Sequence, residues 1–408
     1  MTKQNILISL LLIILLFVYN IYISKKHKRI NKTELYKKVN KFKKILYISS
    51  ILLFIIFLII NLSVLGNNPT EEETINCFLK ALSIAIVALP ISLDTLYLTT
   101  FTDEENYSHI KTIVTNIYDK ELIAKFNKAH INVILLSEKK TDIKSITEKK
   151  ITPSILTDTL QIKTNDTKIV DKLINKSTTK KEFKSLEVLY NKIINSRGIH
   201  DNYTRTIKYL IATYLPIILS YLFLIFMQFP VTYNILLVSL LKLYTTIITR
   251  AVYKYLPFDK DIPIRQVKPV NVLIPSQELF LLFIDCFIVF FTLTLPYMYV
   301  LAKDTGILFA NTIYFVSFSI INILLTYYYL NDSSFILNII KNIKKIRIHI
   351  FTIITIIFII FININNYFIT RNIGIQNIFG CLTISITGIL ILELTKLARF
   401  ISMKGRKK

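Results

Sequence analysis

Runs of about 20 apolar residues, the length that crosses a bilayer as one helix, dominate this chain and set what it can fold into. A soluble domain breaks its hydrophobic pattern every few residues, because each element needs a wet face. Here 53% of 408 residues are hydrophobic, and they are gathered into long uninterrupted stretches. A soluble enzyme is excluded first. Nine spans are expected, near 5–24, 45–65, 77–100, 206–227, 231–250, 279–301, 308–330, 349–369 and 376–397. The first is longer than a typical signal peptide and lacks a small-residue cleavage site, so it is expected to be retained.

The formal charge of +24 would suit a nucleic-acid partner, but its placement argues for a membrane instead. With the amino terminus outside, 45 of the 50 Lys and Arg residues fall in cytoplasmic segments or at cytoplasmic helix ends. Only Lys3, Lys80, Lys303 and Arg371 fall on the outer side, where Glu71, Glu72 and Glu73 add acidic charge. This is the positive-inside distribution. It predicts an integral plasma-membrane protein with its carboxyl terminus in the cytoplasm, in contact with anionic lipid and with no nucleic acid.

The three cysteines (Cys77, Cys286 and Cys381) and five histidines are scattered, with no Cys-x-x-Cys and no His-Glu-x-x-His. No zinc site or disulfide framework follows, and no metal or cofactor is expected. The cysteines are expected to be small apolar fillers of helices.

One segment, 101–205, is long enough for a domain outside the membrane. Thr112 to Tyr118 reads as a strand, Glu121 to His130 as a helix, and Ile131 to Ser137 as a buried parallel strand. Helices are expected at Thr141 to Lys150 and Thr167 to Lys176, and a further strand at Thr159 to Lys163. The fold class is therefore a polytopic α-helical membrane bundle with a small α/β domain. The expected divisions are 1–30, an amino-terminal helix and basic linker; 31–100, two further spans; 101–205, the α/β segment; and 206–408, a six-helix membrane region.

Several strings, in this order, resemble the P-type cation-transporting ATPases from their third helix onward. Ala81 to Thr100 (ALSIAIVALPISLDTLYLTT) is similar to the family's proline-broken fourth helix, and Lys128 to Ser137 (KAHINVILLS) to a strand of its phosphorylation domain. Thr178 to Lys184 (TTKKEFK) is similar to the lysine-bearing segment after that strand. Arg197 to Ala212 (RGIHDNYTRTIKYLIA), Leu256 to Pro269 (LPFDKDIPIRQVKP) and Ile389 to Phe400 (ILILELTKLARF) resemble the entry into the fifth helix, the loop after the sixth and the end of the tenth. The resemblance covers roughly 33–402. It implies a P-type ATPase-like bundle and a HAD-like remnant for the α/β segment.

The departures are as informative as the matches. Those pumps need an Asp-Lys-Thr-Gly-Thr nucleophile loop, a magnesium loop, a nucleotide domain and an actuator domain. None is present here. Where the family has Thr-Gly-Asp, this chain has Ser137-Glu138-Lys139, and the only glycine in 101–205 is Gly198. Asp119-Lys120 follows the first strand, where a nucleophile would stand, but Glu121 comes next. A second negative charge there would repel phosphate by about 4 kcal/mol at 4 Å and effective dielectric 20. Asp119 is thus expected to be the polar start of a helix. No catalytic, cofactor-binding or metal-binding residue is assigned.

The resemblance also locates a remnant transport path: Pro90, Asp94, Ser239 and Lys242. Pro90 keeps the break in the fourth helix, while Ile91 and Asp94 replace two positions of its motif. Tyr214 and Ile217 take the polar positions of the fifth helix, and Ser239, Lys242 and Leu243 those of the sixth. Oxygen ligands for a hard cation are mostly lost, and a lysine stands in the middle. A charge at bilayer centre costs about 2.5–3.5 kcal/mol on insertion scales. Lys242 should therefore face the interior and pair with Asp94, the alternative being that it snorkels or meets backbone carbonyls while Asp94 lies near the cytoplasmic end in water. Asp285 is the other acidic residue well inside a span. The expected function is that of a non-catalytic, pump-like pseudoenzyme acting as regulator, partner or scaffold for another membrane protein or pump. The alternatives are a passive or secondary ion carrier and a divergent cation-transporting ATPase.

The charge distribution makes a direct prediction. A cysteine placed beside Lys404 will react with an impermeant maleimide only after the membrane is opened, and one beside Glu72 will react in intact cells. The reverse pattern would overturn the orientation.

Overall fold

The computed structural model describes residues 34–63, 65, 69–89, 108, 110–115, 119–135, 159–161, 185–230, 238, 241–242, 245, 252–253, 258–259, 261–264, 274, 276–330, 335–342, 350, 352–357, 359–360 and 371–405, and isolated positions 11, 14 and 18. Its helices and strands are α1 (Glu34–Ser63), α2 (Glu71–Ala88), β1 (Thr112–Thr115), α3 (Lys120–Lys128), β2 (Asn132–Leu135), β3 (Thr159–Gln161), α4 (Leu186–Phe226), α5 (Ser276–Ala302), α6 (Ile307–Tyr328), α7 (Phe335–Asn342) and α8 (Gly374–Gly405). A short 3-10 turn spans Ile262–Ile264.

Five stretches among the described residues are long and apolar enough to cross a bilayer: Lys41–Ser63, Leu186–Phe226, Glu278–Ala302, Ile307–Tyr328 and Gly374–Leu397. The protein is a helical integral membrane protein. These five correspond to expected spans 45–65, 206–227, 279–301, 308–330 and 376–397. The first half of span 77–100 is α2. Most of 5–24, 231–250 and 349–369 lies outside the described residues.

Helix α2 shows why the chain starts and stops where it does. Thr70 caps it, its hydroxyl accepting from the Glu73 N–H at 3.3 Å, while the Glu73 carboxylate accepts from the Thr70 N–H at 2.9 Å. This reciprocal capping box satisfies two donors that a helix start leaves open. The acidic triplet in that first turn complements the positive end of the helix dipole. At the other end Leu89 turns extended, with φ −61° and ψ 131°. The next residue is Pro90, whose ring crowds a helical predecessor and whose nitrogen has no proton to continue the ladder. Helix α2 packs along α1, with an edge-on Phe54–Phe78 contact at 5.4 Å.

The α/β unit has three parallel strands in the order β2-β1-β3, with Ile113 opposite Val133 and Leu160. Helix α3 connects β1 to β2. Its apolar face, Ile123 and Phe126, packs with Ile113, Val133 and Ile131. The expected strand-helix-strand order is present; the ends of the expected strands at 116–118, 136–137 and 162–163 lie outside the described residues. The helices expected at 141–150 and 167–176 lie outside the described residues.

Helix α4 is the structural link. At 41 residues it runs about 60 Å at 1.5 Å per residue, roughly twice the hydrocarbon thickness. Its first turns contribute Leu186, Leu189 and Ile193 to the core of the α/β unit. Its later turns contribute Tyr203 to Leu224 to the core of the bundle. The expected division at 205 therefore falls inside one continuous helix. The Arg197 guanidinium donates to the Ala129 carbonyl at 2.9 Å, fastening α3's end to this shaft. Gly198 lets the Phe258 ring lie against it, since a β-carbon there would sit 2.2 Å from the ring. Next to it, Arg205 forms an ion pair with Asp259.

The Glu73 carboxylate is held below its ordinary pKa, chiefly by the Thr70 backbone N–H and then by the Thr70 hydroxyl. Its contribution is full above the ordinary carboxylate range and is lost as pH falls through the lowered value. Amide hydrogen exchange in the first turn of α2 is predicted to accelerate on acidification. Thr70→Ala should remove about 1 kcal/mol of local protection and blunt that pH dependence. A pH response unchanged in the variant would contradict this account.

Candidate functional site

The site lies where the broken end of α2 meets α4 and the helical residues 238, 241, 242 and 245. A helix end leaves its last four carbonyls without intrahelical donors. Three of the four here are accounted for by named partners. The Ala85 carbonyl accepts from the Ser50 hydroxyl at 2.7 Å, Ile86 from the Leu89 N–H at 3.2 Å, and Val87 from Lys242 Nζ at 2.9 Å. Lys242 is only 2% exposed. Its ammonium thus sits at the negative end of a helix dipole, the location that favours a cation.

A second group holds it. Lys242 Nζ lies 3.6 Å from the centre of the Tyr214 ring, well inside cation–π range. That ring is itself oriented: the Tyr214 hydroxyl hydrogen-bonds the Thr245 hydroxyl, one helical turn beyond Lys242. Thr245 donates back to the Leu241 carbonyl at 2.9 Å. A hydrogen bond to a charged group is worth about 1.5–3 kcal/mol, and a desolvated cation–π contact about 2 kcal/mol. Together they match or exceed the insertion cost of the lysine.

Of the four residues of the expected path, Lys242 is the one the structure describes; Pro90, Asp94 and Ser239 lie outside the described residues. The contact of Lys242 with a backbone carbonyl, one of the expected possibilities, is observed; the pairing with Asp94 falls on a residue outside the described ones. Tyr214 and Val87 complete the site. Tyr214 was marked only as a substituted position, because an aromatic in an apolar run carries no separate signal of polar work. The Val87 carbonyl has no side-chain signature; Pro90 three residues later was the clue to an open helix end.

Beside the Lys242 ammonium is a cavity of about 350 Å3, walled by α1, the end of α2 and α4. Other buried polar contacts tie the bundle together. The Asn322 Oδ1 accepts from the Tyr209 hydroxyl at 3.1 Å and the Thr213 hydroxyl at 3.2 Å. Ser220 meets Thr294 at 2.8 Å. Asp285, fully buried, accepts from the Tyr329 hydroxyl at 2.9 Å and from Thr395 at 3.4 Å.

Asp119 is the N-cap of α3, its carboxylate accepting from the Leu122 N–H at 3.0 Å. This is the polar helix start the sequence suggested. The three cysteines are buried free thiols within helices, each directed at a backbone carbonyl. Among the described residues, no three His, Cys, Asp or Glu residues cluster to hold a metal ion. Compared with family models and with curated proteins, the chain matches none.

Asp285→Ala is predicted to destabilise the bundle by about 1–3 kcal/mol by removing the acceptor of the buried Tyr329 hydroxyl. Asp285→Asn, which keeps one oxygen, should cost less. Unfolding titrations in mixed micelles test this; equal losses for the two variants would contradict the acceptor role.

Proposed function

We propose that this protein is a non-catalytic relative of the P-type cation-transporting ATPases, in which a lysine of the protein occupies the place of the transported cation. In this reading it is a plasma-membrane protein of nine spans, with its amino terminus outside and a HAD-like remnant in the cytoplasm. It serves as a regulator, partner or scaffold for another membrane protein.

The observation that carries the reading is the meeting of Lys242 with the Val87 carbonyl and the Tyr214 ring. The resemblance assigned these segments separately to the broken fourth helix, the fifth and the sixth. Their side by side packing is what a shared ancestral path would leave. The chemistry has changed, however. Carbonyls at a helix break suit a hard cation when carboxylates complete the shell. Here an ammonium on a covalent tether takes one of those carbonyls and cannot diffuse away. A fixed internal cation opposes entry of a second by direct repulsion. Asp119 acting as a helix cap, without the glycine-bearing loop a phosphate needs, supports the absence of a phosphoryl-transfer role.

Purified protein in proteoliposomes should neither hydrolyse ATP nor pass cations above the rate of empty vesicles. It should co-purify with a second membrane protein. An acid-stable phosphoenzyme lost in Asp119→Asn would overturn the proposal in favour of a divergent pump. Cation flux abolished by Lys242→Met would overturn it in favour of a carrier.

A further inference from the structure

We propose that the groove between α5 and α8 holds one acyl chain of an anionic glycerophospholipid, with the phosphodiester headgroup at the rim that carries Lys303 and Arg371. Both helices pack on α6, and the space left between them is about 570 Å3. On α5 it is bordered by Phe291 and Leu295, on α8 by Ile384 and Ile391, and Ile313 of α6 joins the lining. Two glycines of α8 gauge its width. At Gly388 a β-carbon would sit 2.5 Å from the Thr292 hydroxyl, so the helices touch there. At Gly380, about 12 Å nearer the start of α8, a β-carbon would meet nothing within 4 Å. The groove therefore widens toward the membrane surface where α5 ends at Ala302 and α8 begins at Gly374.

Its interior presents hydrocarbon. The Thr292 hydroxyl donates to the Ile288 carbonyl at 2.7 Å, the Thr387 hydroxyl to the Ile384 carbonyl at 2.7 Å, and the Asn377 amide to the Ile373 carbonyl at 2.6 Å. Among the described residues, no charged side chain lines the groove. Size decides between a chain and a helix as occupant. From Ile288 to Val300 the groove follows α5 for about 18 Å, close to one leaflet of hydrocarbon. Spread over that length, the volume leaves a mean section of about 30 Å2, whereas a helix 10–12 Å across needs about 80–110 Å2. An alkyl chain enters; a partner's helix does not. With no water in the bilayer core, the second chain of the same lipid stays in the surrounding hydrocarbon.

The rim selects the headgroup. Tyr299 lines the wide end, and Lys303 Nζ lies 4.4 Å from the centre of its ring. The Arg371 backbone N–H donates to the Thr312 hydroxyl at 2.8 Å, next to Ile313 of the lining, which brings a second cation to the same end. Lys303, Arg371 and the neighbouring Asp304 are all exposed. Together they carry one net positive charge, and the whole stretch 333–392 adds no carboxylate. A phosphodiester, with its single negative charge, balances this rim without either cation having to lack other contacts. The inference is independent of the Lys242 site, and ATP hydrolysis by the protein would leave it untouched.

The test uses the full-length protein in phosphatidylcholine nanodiscs holding a trace of phosphatidylglycerol with a diazirine in one acyl chain. Photolabel is expected on peptides containing 291–300 and 377–388, above the level on the exposed α1 stripe that includes Ile48 and Ile59. The same probe with a choline headgroup should label the groove about fivefold less, the preference that one net basic charge confers. Lys303→Gln together with Arg371→Gln should erase that preference, and Gly380→Leu, which fills the wide end, should remove the groove label and leave that on α1 unchanged. Groove label no greater than on α1, or equal label from the two probes, would show ordinary bilayer contact and overturn the proposal. Groove peptides shielded from both probes would mean that protein covers this face, and would equally overturn it. If a variant fails to fold, the two-probe comparison on the unmodified protein decides alone.

Discussion

The bond from Lys242 to the Val87 carbonyl is the constraint around which the centre of the bundle is arranged. Proline at position 90 ends α2 inside the apolar region, and an open helix end there exposes carbonyls that lipid cannot satisfy. A lysine in the same region is equally untenable alone. Each solves the other's problem. Tyr214 closes the arrangement from the α4 side, and Thr245 fixes the ring's attitude. Three segments distant in the chain are thereby held to one point by groups that have few alternatives in a bilayer.

Around that point, the bundle is joined by polar contacts spaced along α4. Tyr209 and Thr213 reach Asn322 on α6, Ser220 reaches Thr294 on α5, and Tyr221 reaches Asn61 on α1 at 3.3 Å. Hydrophobic burial gives little preference between one apolar helix face and another when lipid is the competitor. Such hydrogen bonds therefore choose partners and register. Because α4 also carries the α/β unit on its first turns, tilting or sliding of that unit would act directly on the helix that presents Tyr214 to Lys242.

Apolar runs announced the membrane class and, through α1, α4, α5, α6 and α8, five of the expected spans. The strand-helix-strand order of the α/β unit was readable from β-branched runs on either side of an amphipathic helix. The reach of α4 was not. Leu186, Leu189 and Ile193 have helical spacing, but charged residues stand among them and the span expected here began only at 206; in the structure these three side chains join the core of the α/β unit. At the site, the lysine declared itself as a charge in an apolar run. Its carbonyl partner could not, since every residue has a carbonyl and only the fold decides which one is left open. Asn322 was overlooked because one amide in α6 hardly alters the run's hydropathy, although it collects two hydroxyls from α4.

A double-mutant cycle on Lys242 and Tyr214 tests the central claim most directly. Unfolding free energies of Lys242→Met, Tyr214→Leu and the double variant, in one detergent and at one pH, give the coupling between the two side chains. The account predicts a coupling of about 1–2 kcal/mol, in the range for residues in direct contact. Strictly additive losses would mean that ammonium and ring do not meet, and the arrangement built around them would fail.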